Sequence, residues 1–213
     1  DSRFSPMAGK SRIARMPNLA KELLRTRLEQ AIACYSALDD EFLRVVEASA
    51  GLALDALRLP KGGVYLIGNG GSAADAQHWA AELVGRYLKE RAPLNVHALT
   101  TNTSTLTALA NDYPADQIFE RMVRGHVGEG DLLVAISTSG NSQNILLAVK
   151  AAKNTGAKVV GVTGKDGGEL AALCDEVFIA PSSDTPRIQE AHLLFGHMFC
   201  ELIELGMFTA PAE

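Results

Sequence analysis

Val64-Tyr65-Leu66-Ile67-Gly68-Asn69-Gly70-Gly71-Ser72-Ala73 joins a short apolar run to a glycine-rich turn and then to the start of a helix. Strand, glycine loop and helix in that order form the opening unit of an α/β sheet, which gathers ligands at its strand ends. Outward from this unit, further apolar runs stand at Val96–Leu99, Leu132–Ile136, Lys158–Val162 and Val177–Ala180. Helical segments separate them, beginning near Ser72, Ser104, Ser142, Gly168 and Pro186. Continuously apolar strands alternating with helices predict a five-stranded parallel sheet with helices on both faces. Two helices come before it. Pro17 suits the first turn of one, along which Leu19, Leu23, Leu24, Leu28, Ile32 and Tyr35 recur at helical spacing. Asp39 or Asp40 can cap the other, which carries Phe42, Val46, Leu54 and Leu57 before Pro60. Residues 1–16 read as a flexible lead-in and residues 17–213 as one domain, without repeat or linker.

The 213 residues can bury a substantial core, and 47% hydrophobic with 21% charged residues is ordinary for a globular protein. A net charge of -5 offers no basic field to a nucleic acid backbone. Cys34, Cys174 and Cys200 are scattered and form no C-x-x-C pair. They argue for a reducing compartment and against a disulfide framework or thiolate zinc site, and read as small buried apolar residues. No apolar run reaches the roughly eighteen residues of a membrane span, and no signal-peptide core precedes Met16. A cytoplasmic protein is expected.

Two loops and two helices carry candidate chemistry. Ser137-Thr138-Ser139-Gly140-Asn141-Ser142 follows the third strand and leads into a helix. Hydroxyls beside free amides at a helix N-terminus suit a phosphate, whereas the plainer alternative is a hydroxyl-rich turn capped by Ser142. The lysine of a P-loop is missing, which removes the default nucleotide-hydrolase reading. In the first loop, Gly68, Gly70 and Ala73 satisfy G-x-G-x-x-[GA], but the second strand ends Leu99-Thr100-Thr101-Asn102-Thr103 without the acid a dinucleotide requires. Asn69 and Ser72 suggest instead contacts to a hydroxylated ligand that Gly70 and Gly71 let approach. A Ser72–Asp75 capping box is the structural alternative there. His78 and Glu82 share one helical face, expected near the carboxyl edge of the sheet, as a metal-binding or acid/base pair or simply a surface hydrogen bond. The last helix carries Gln189, Glu190, His192, His197 and Glu201. Gln189 and His197 are separated by about 12 Å of helical rise. His192 and Glu201 read as structural or solvated.

Together these residues resemble a known family. Gly68 through His78 with Glu82, Leu109-Ala110-Asn111-Asp112-Tyr113, the Ser137–Ser142 loop, and Thr185 through Glu190 to His197 follow the phosphoheptose isomerase pattern in order. The resemblance runs from about Pro17 to Phe208 and implies a three-layer sugar-isomerase (SIS) fold with an N-terminal helical pair. It implies conversion of sedoheptulose 7-phosphate to D-glycero-D-manno-heptose 7-phosphate through an enediol, in the heptose synthesis that feeds lipopolysaccharide. By the same resemblance, Ser137, Thr138, Ser139 and Ser142 would hold the phosphate. Asn69, Gly70, Gly71, Ser72, Glu82, Asn111, Asp112 and Gln189 would contact the sugar. Glu82 and His197 would be the acid/base pair, and His78, Glu82, Gln189 and His197 would surround a zinc ion. The family is a homotetramer with sites at subunit interfaces, which would ease the Gln189–His197 spacing and use the N-terminal helices for assembly.

Trp79 is bulkier than the aliphatic residue of the family pattern, so a different pocket wall is expected. Related isomerases act on an eight-carbon octulose 8-phosphate in antibiotic sugar synthesis, and these motifs do not separate the two substrates. A non-catalytic relative that binds a replication initiator lacks the equivalents of Glu82 and His197, which this chain keeps. A regulatory module that senses a sugar phosphate would be expected to carry a further domain.

Overall fold

A computed structural model describes residues 17–208. The expected lead-in at residues 1–16 lies outside the described residues. Helices α1 (Pro17–Ser36) and α2 (Asp40–Arg58) precede β1 (Val64–Gly68). There follow α3 (Gly71–Val84), β2 (Val96–Ala98), α4 (Thr103–Asp112), α5 (Ile118–His126) and β3 (Leu132–Ser137). The chain continues through α6 (Gln143–Asn154), β4 (Lys158–Gly164), α7 (Gly168–Ala171), β5 (Glu176–Ala180) and α8 (Thr185–Phe208). Asp39 is the cap of α2, its carboxylate accepting from the N–H groups of Glu41 and Phe42 at 3.1 and 3.3 Å.

The five strands pair in parallel in the order β2-β1-β3-β4-β5. Every residue of β3 is buried, because helices cover both faces. Leu132, Val134 and Ile136 join Trp79, Phe195 and Phe199 in one core, while Leu133 and Ala135 join Phe119, Ile145 and Val149 in the other. The order reverses between β1 and β3, so the crevice for a ligand opens at the carboxyl ends of those two strands. Both candidate loops border it.

Two features depart from the expectations. Pro114 has no N–H with which to prolong α4, and a 3₁₀ turn at Ala115–Gln117 redirects the chain into α5, a helix the sequence reading did not include. Its Phe119, Met122 and Val123 seal the second core. In addition, α8 is long and apolar enough by composition to cross a membrane. Its Ile188, Ala191, Phe195, Phe199 and Ile203 are buried against the sheet and α3, as in a core helix.

His192 belongs to this core as a structural residue. Fully buried on α8, it faces the Thr163 carbonyl through Nε2 at 2.8 Å, so the proton sits on Nε2. Burial pushes its pKa down to about 4. The unfolded chain therefore binds a proton that the folded chain refuses, and this contribution to stability is lost as pH falls from about 6.5 toward 4. Between pH 7 and 4, the wild type should lose ~3 kcal/mol more than His192→Gln in urea unfolding. Equal losses would show that this histidine does not govern the acid limb.

Candidate active site

The first loop positions α3 through its backbone. Asn69 O accepts the Ser72 N–H at 2.9 Å, and Gly70, with φ of 54°, occupies the left-handed region where a side chain would be strained. Gly70, lacking a side chain, is the cap of α3, so the alternative of a Ser72–Asp75 box does not form. Ser72 is buried within the first turn, and Asp75 Oδ2 is buried without a hydrogen-bond partner among the described residues. Burial pushes the Asp75 carboxyl up to about 6, with the neighbouring His78 opposing. A methyl group on Gly71 would overlap the Gln189 amide, so this glycine seats Gln189 against the start of α3. Gly71, Asp75, Gln189 and Glu190 line an open cleft of ≈ 420 Å³.

Across the switch point, Asn69 and Asn144 exchange side-chain hydrogen bonds of 3.0 and 2.8 Å. Asn144 was not among the expected site residues. Its position in the first turn after the hydroxyl loop is the signal that would have found it. Ser142 is the cap of α6 by position, yet its hydroxyl accepts from Ser137 Oγ at 3.2 Å and caps no helix N–H. The Ser142 carbonyl takes the Ile145 N–H at 3.0 Å, so among the described residues the Gln143 and Asn144 amides are the first-turn donors an anion could use. Two contacts anchor the loop against the turn that opens α7. Gly140, at φ of 65°, packs on the Gly167 backbone, and Asn141 Oδ1 accepts the Glu169 N–H at 3.0 Å. Thr138 and Ser139 stand between these anchors, with the Ser139 hydroxyl taking the Asn141 N–H at 3.2 Å.

Helices α3 and α8 run side by side and bring three of the expected residues together. His78 Nε2 lies 3.0 Å from Glu82 Oε1, and the His78 and His197 rings meet edge to face with centroids 5.2 Å apart. These groups do not sit at the carboxyl edge of the sheet, as expected. Helix α3 leaves that edge at Gly71, and His78 is about 10 Å along its axis. Gln189 remains beside Gly71, about two turns from His197, so the chain does not gather the four expected metal ligands at one point. Two imidazoles and a carboxylate are a donor set that suits zinc, and His78 is at present engaged with Glu82. Among the described residues no group of three or more His, Cys, Asp or Glu side chains is drawn together closely enough to hold a metal ion. Asn111 and Asp112 lie exposed at the end of α4, bonded to one another at 2.8 Å.

Trp79 does not alter the pocket. Its side chain is fully buried between Phe195 and Phe199, with ring centroids 6.0 and 6.5 Å away, over Gly196. It is adjacent to His78 in sequence but points into the core.

The SIS-domain family model matches residues 28–164. The phosphoheptose isomerase of Rhodospirillum rubrum is 53% identical over 181 residues, covering 85% of this chain and 95% of that one. Among solved structures, phosphoheptose isomerase from Neisseria gonorrhoeae is 40% identical, with a TM-score of 0.81 over 87% of this chain and 98% of its own. The Francisella tularensis phosphoheptose isomerase is 33% identical, with a TM-score of 0.83 over 86% of this chain and 97% of its own.

Proposed function

The chain belongs to the SIS-domain phosphoheptose isomerase family, and from that membership we propose that it converts sedoheptulose 7-phosphate to D-glycero-D-manno-heptose 7-phosphate. One observation supports this reading above the others. A helix N-terminus flanked by serines opens α6 at the strand-order reversal, and the His78–Glu82 pair lies about 10 Å along α3 from its start at Gly71. A phosphate held at the first place and a carbonyl at the second would suit a substrate that carries them at opposite ends of its carbon chain. Ser137, Thr138, Ser139 and Ser142 hold the phosphate. Asn69, Gly70, Gly71, Ser72, Asn111, Asp112 and Gln189 contact the sugar.

In the isomerisation, Glu82 removes a proton from C1, and the electron pair becomes the C1–C2 double bond of an enediol as the C2 oxygen takes a proton. Return of a proton to C2, with loss of the O1 proton, yields the aldose with no net gain or loss of electrons. His197 serves as the partner that moves protons on the oxygens. Although the single chain does not draw them together, His78, Glu82 and His197 would hold a zinc ion once their side chains turn toward it, with Gln189 joining from another copy of the chain. When bound, such an ion would polarise the substrate carbonyl as a Lewis acid.

We further propose a homotetramer in the cytoplasm. Leu19, Leu23, Leu24, Leu28 and Ile32 of α1 are each more than half exposed in the single chain, a continuous apolar stripe for a second copy to cover. The free thiols Cys34, Cys174 and Cys200 are consistent with a reducing compartment. The named seven-carbon relatives favour that substrate over the octulose phosphate, and the retained Glu82 and His197 disfavour the scaffold reading.

The test is NMR of purified protein with sedoheptulose 7-phosphate, with and without zinc. Aldoheptose signals are expected, and their absence from folded, zinc-loaded protein would overturn the reading. A second prediction concerns Gly71→Ala. Alanine is favourable in a helix, so stability should stay within ~1 kcal/mol of wild type, while the new methyl evicts the Gln189 amide. The KM for the sugar phosphate should rise at least about tenfold. An unchanged KM would remove Gln189 from the substrate contacts.

A further inference from the structure

The connection between α3 and β2 contributes nothing to the chemistry just described, yet a buried ion pair ties it down. Glu204 lies two turns beyond His197 on the same stripe of α8. Its carboxylate accepts the backbone N–H groups of Tyr87, Leu88 and Lys89 at 3.0, 2.7 and 2.9 Å, and Arg91 Nε at 3.1 Å. Burial works to raise the Glu204 pKa, but these four donors hold it below the usual carboxylate range. The Arg91 side chain, 2% exposed, also donates to the carbonyls of Glu82, Leu83 and Gly85 at 2.8, 2.7 and 3.1 Å. A cation thus satisfies the last carbonyls of α3. One buried pair joins the end of the helix bearing Glu82 to the helix bearing His197.

From this tethered backbone the Tyr87 ring reaches back along α8 and stacks on the His197 imidazole, with centroids 6.3 Å apart and planes at 30°. His78 meets the same imidazole edge-on. Among the described residues, no hydrogen bond orients His197; these two ring contacts do so. An offset aromatic stack restricts the tilt of a ring, and small displacements of an acid/base group cost rate steeply.

We propose that Tyr87 is a positioning residue for His197, held in place from two turns away by the Glu204–Arg91 pair. The kinetic part of its test rests on the isomerase reading; the spectroscopic part does not. Tyr87→Leu removes the stack, and Tyr87→Phe keeps the ring without the hydroxyl. Tyr87→Leu should lower kcat by about tenfold or more with KM within about twofold, while Tyr87→Phe stays within about twofold of wild type in both. In metal-free protein, the His197 imidazole NMR signals should shift and broaden in Tyr87→Leu and remain in place in Tyr87→Phe. Unchanged kcat and His197 signals in Tyr87→Leu would overturn the proposal. So would an equal loss in Tyr87→Phe, which would assign the effect to the hydroxyl. If wild-type protein isomerised nothing, the isomerase reading would fail and the imidazole signals alone would decide the role of Tyr87.

Discussion

Glu82→Gln should lower kcat by about 10²–10⁴-fold while leaving the fold intact. The replacement has the same shape, and its amide oxygen can still face His78 Nε2, where Glu82 Oε1 now lies at 3.0 Å. What it removes is the ability to accept a proton from C1. The half-buried setting of the pair, with side chains 38% and 27% exposed, means that neutralising one carboxylate leaves no deeply buried charge uncompensated. Far-ultraviolet circular dichroism and urea midpoints should therefore match wild type, and kcat should fall without a large rise in KM. His197→Gln should behave in the same way. Wild-type turnover in a folded Glu82→Gln protein would sink the assignment of the base, and with it the placement of the chemistry along α3.

The largest stability effect is expected at Trp79. Its indole is wholly buried between Phe195 and Phe199, and a glycine at position 196 is what allows α3 and α8 to approach around it. Trp79→Ala should cost ~3–5 kcal/mol, the range for emptying an aromatic from a well-packed core. Gly196→Ala should cost ~1–3 kcal/mol for the opposite reason, since the added methyl overlaps the indole. Urea unfolding at one fixed protein concentration measures both, which holds any effect of assembly constant. Because each variant disturbs the other's contact, the double variant should be less destabilised than the two single losses combined. Strict additivity would mean that the helices do not pack through this pair. The indole N–H has no hydrogen-bond partner among the described residues, so Trp79→Phe should be much milder than Trp79→Ala.

Much of the molecule was legible locally. Apolar runs such as Leu132–Ile136 mark strands because a strand covered on both faces has no polar side to show. The cap at Asp39 and the paired face of His78 and Glu82 follow from helical geometry over a few residues. The hydroxyl loop before α6 was readable as a candidate anion site for the same reason: its donors are neighbours in the chain. Helix α5 was not read, because its short apolar stripe follows a proline that suggests only a break. The Ser72–Asp75 box failed because Gly70, not Ser72, has the backbone conformation that ends the loop.

The sequence by itself determined the fold class and the local candidate groups, the Ser137–Ser142 hydroxyl loop and the His78–Glu82 pair, since each group is written in residues within a few positions of one another. The tertiary structure alone decided how those pieces meet. It paired Asn69 with Asn144 across the reversal in strand order, seated Gln189 on Gly71 and away from His197, turned Trp79 into the core, and bound the Tyr87 loop to Glu204. These contacts join residues 75 or more positions apart in most cases, as Asn69 and Asn144 do. No local period encodes them; they arise only when the sheet fixes which strands are neighbours and the helices on each face are pressed together.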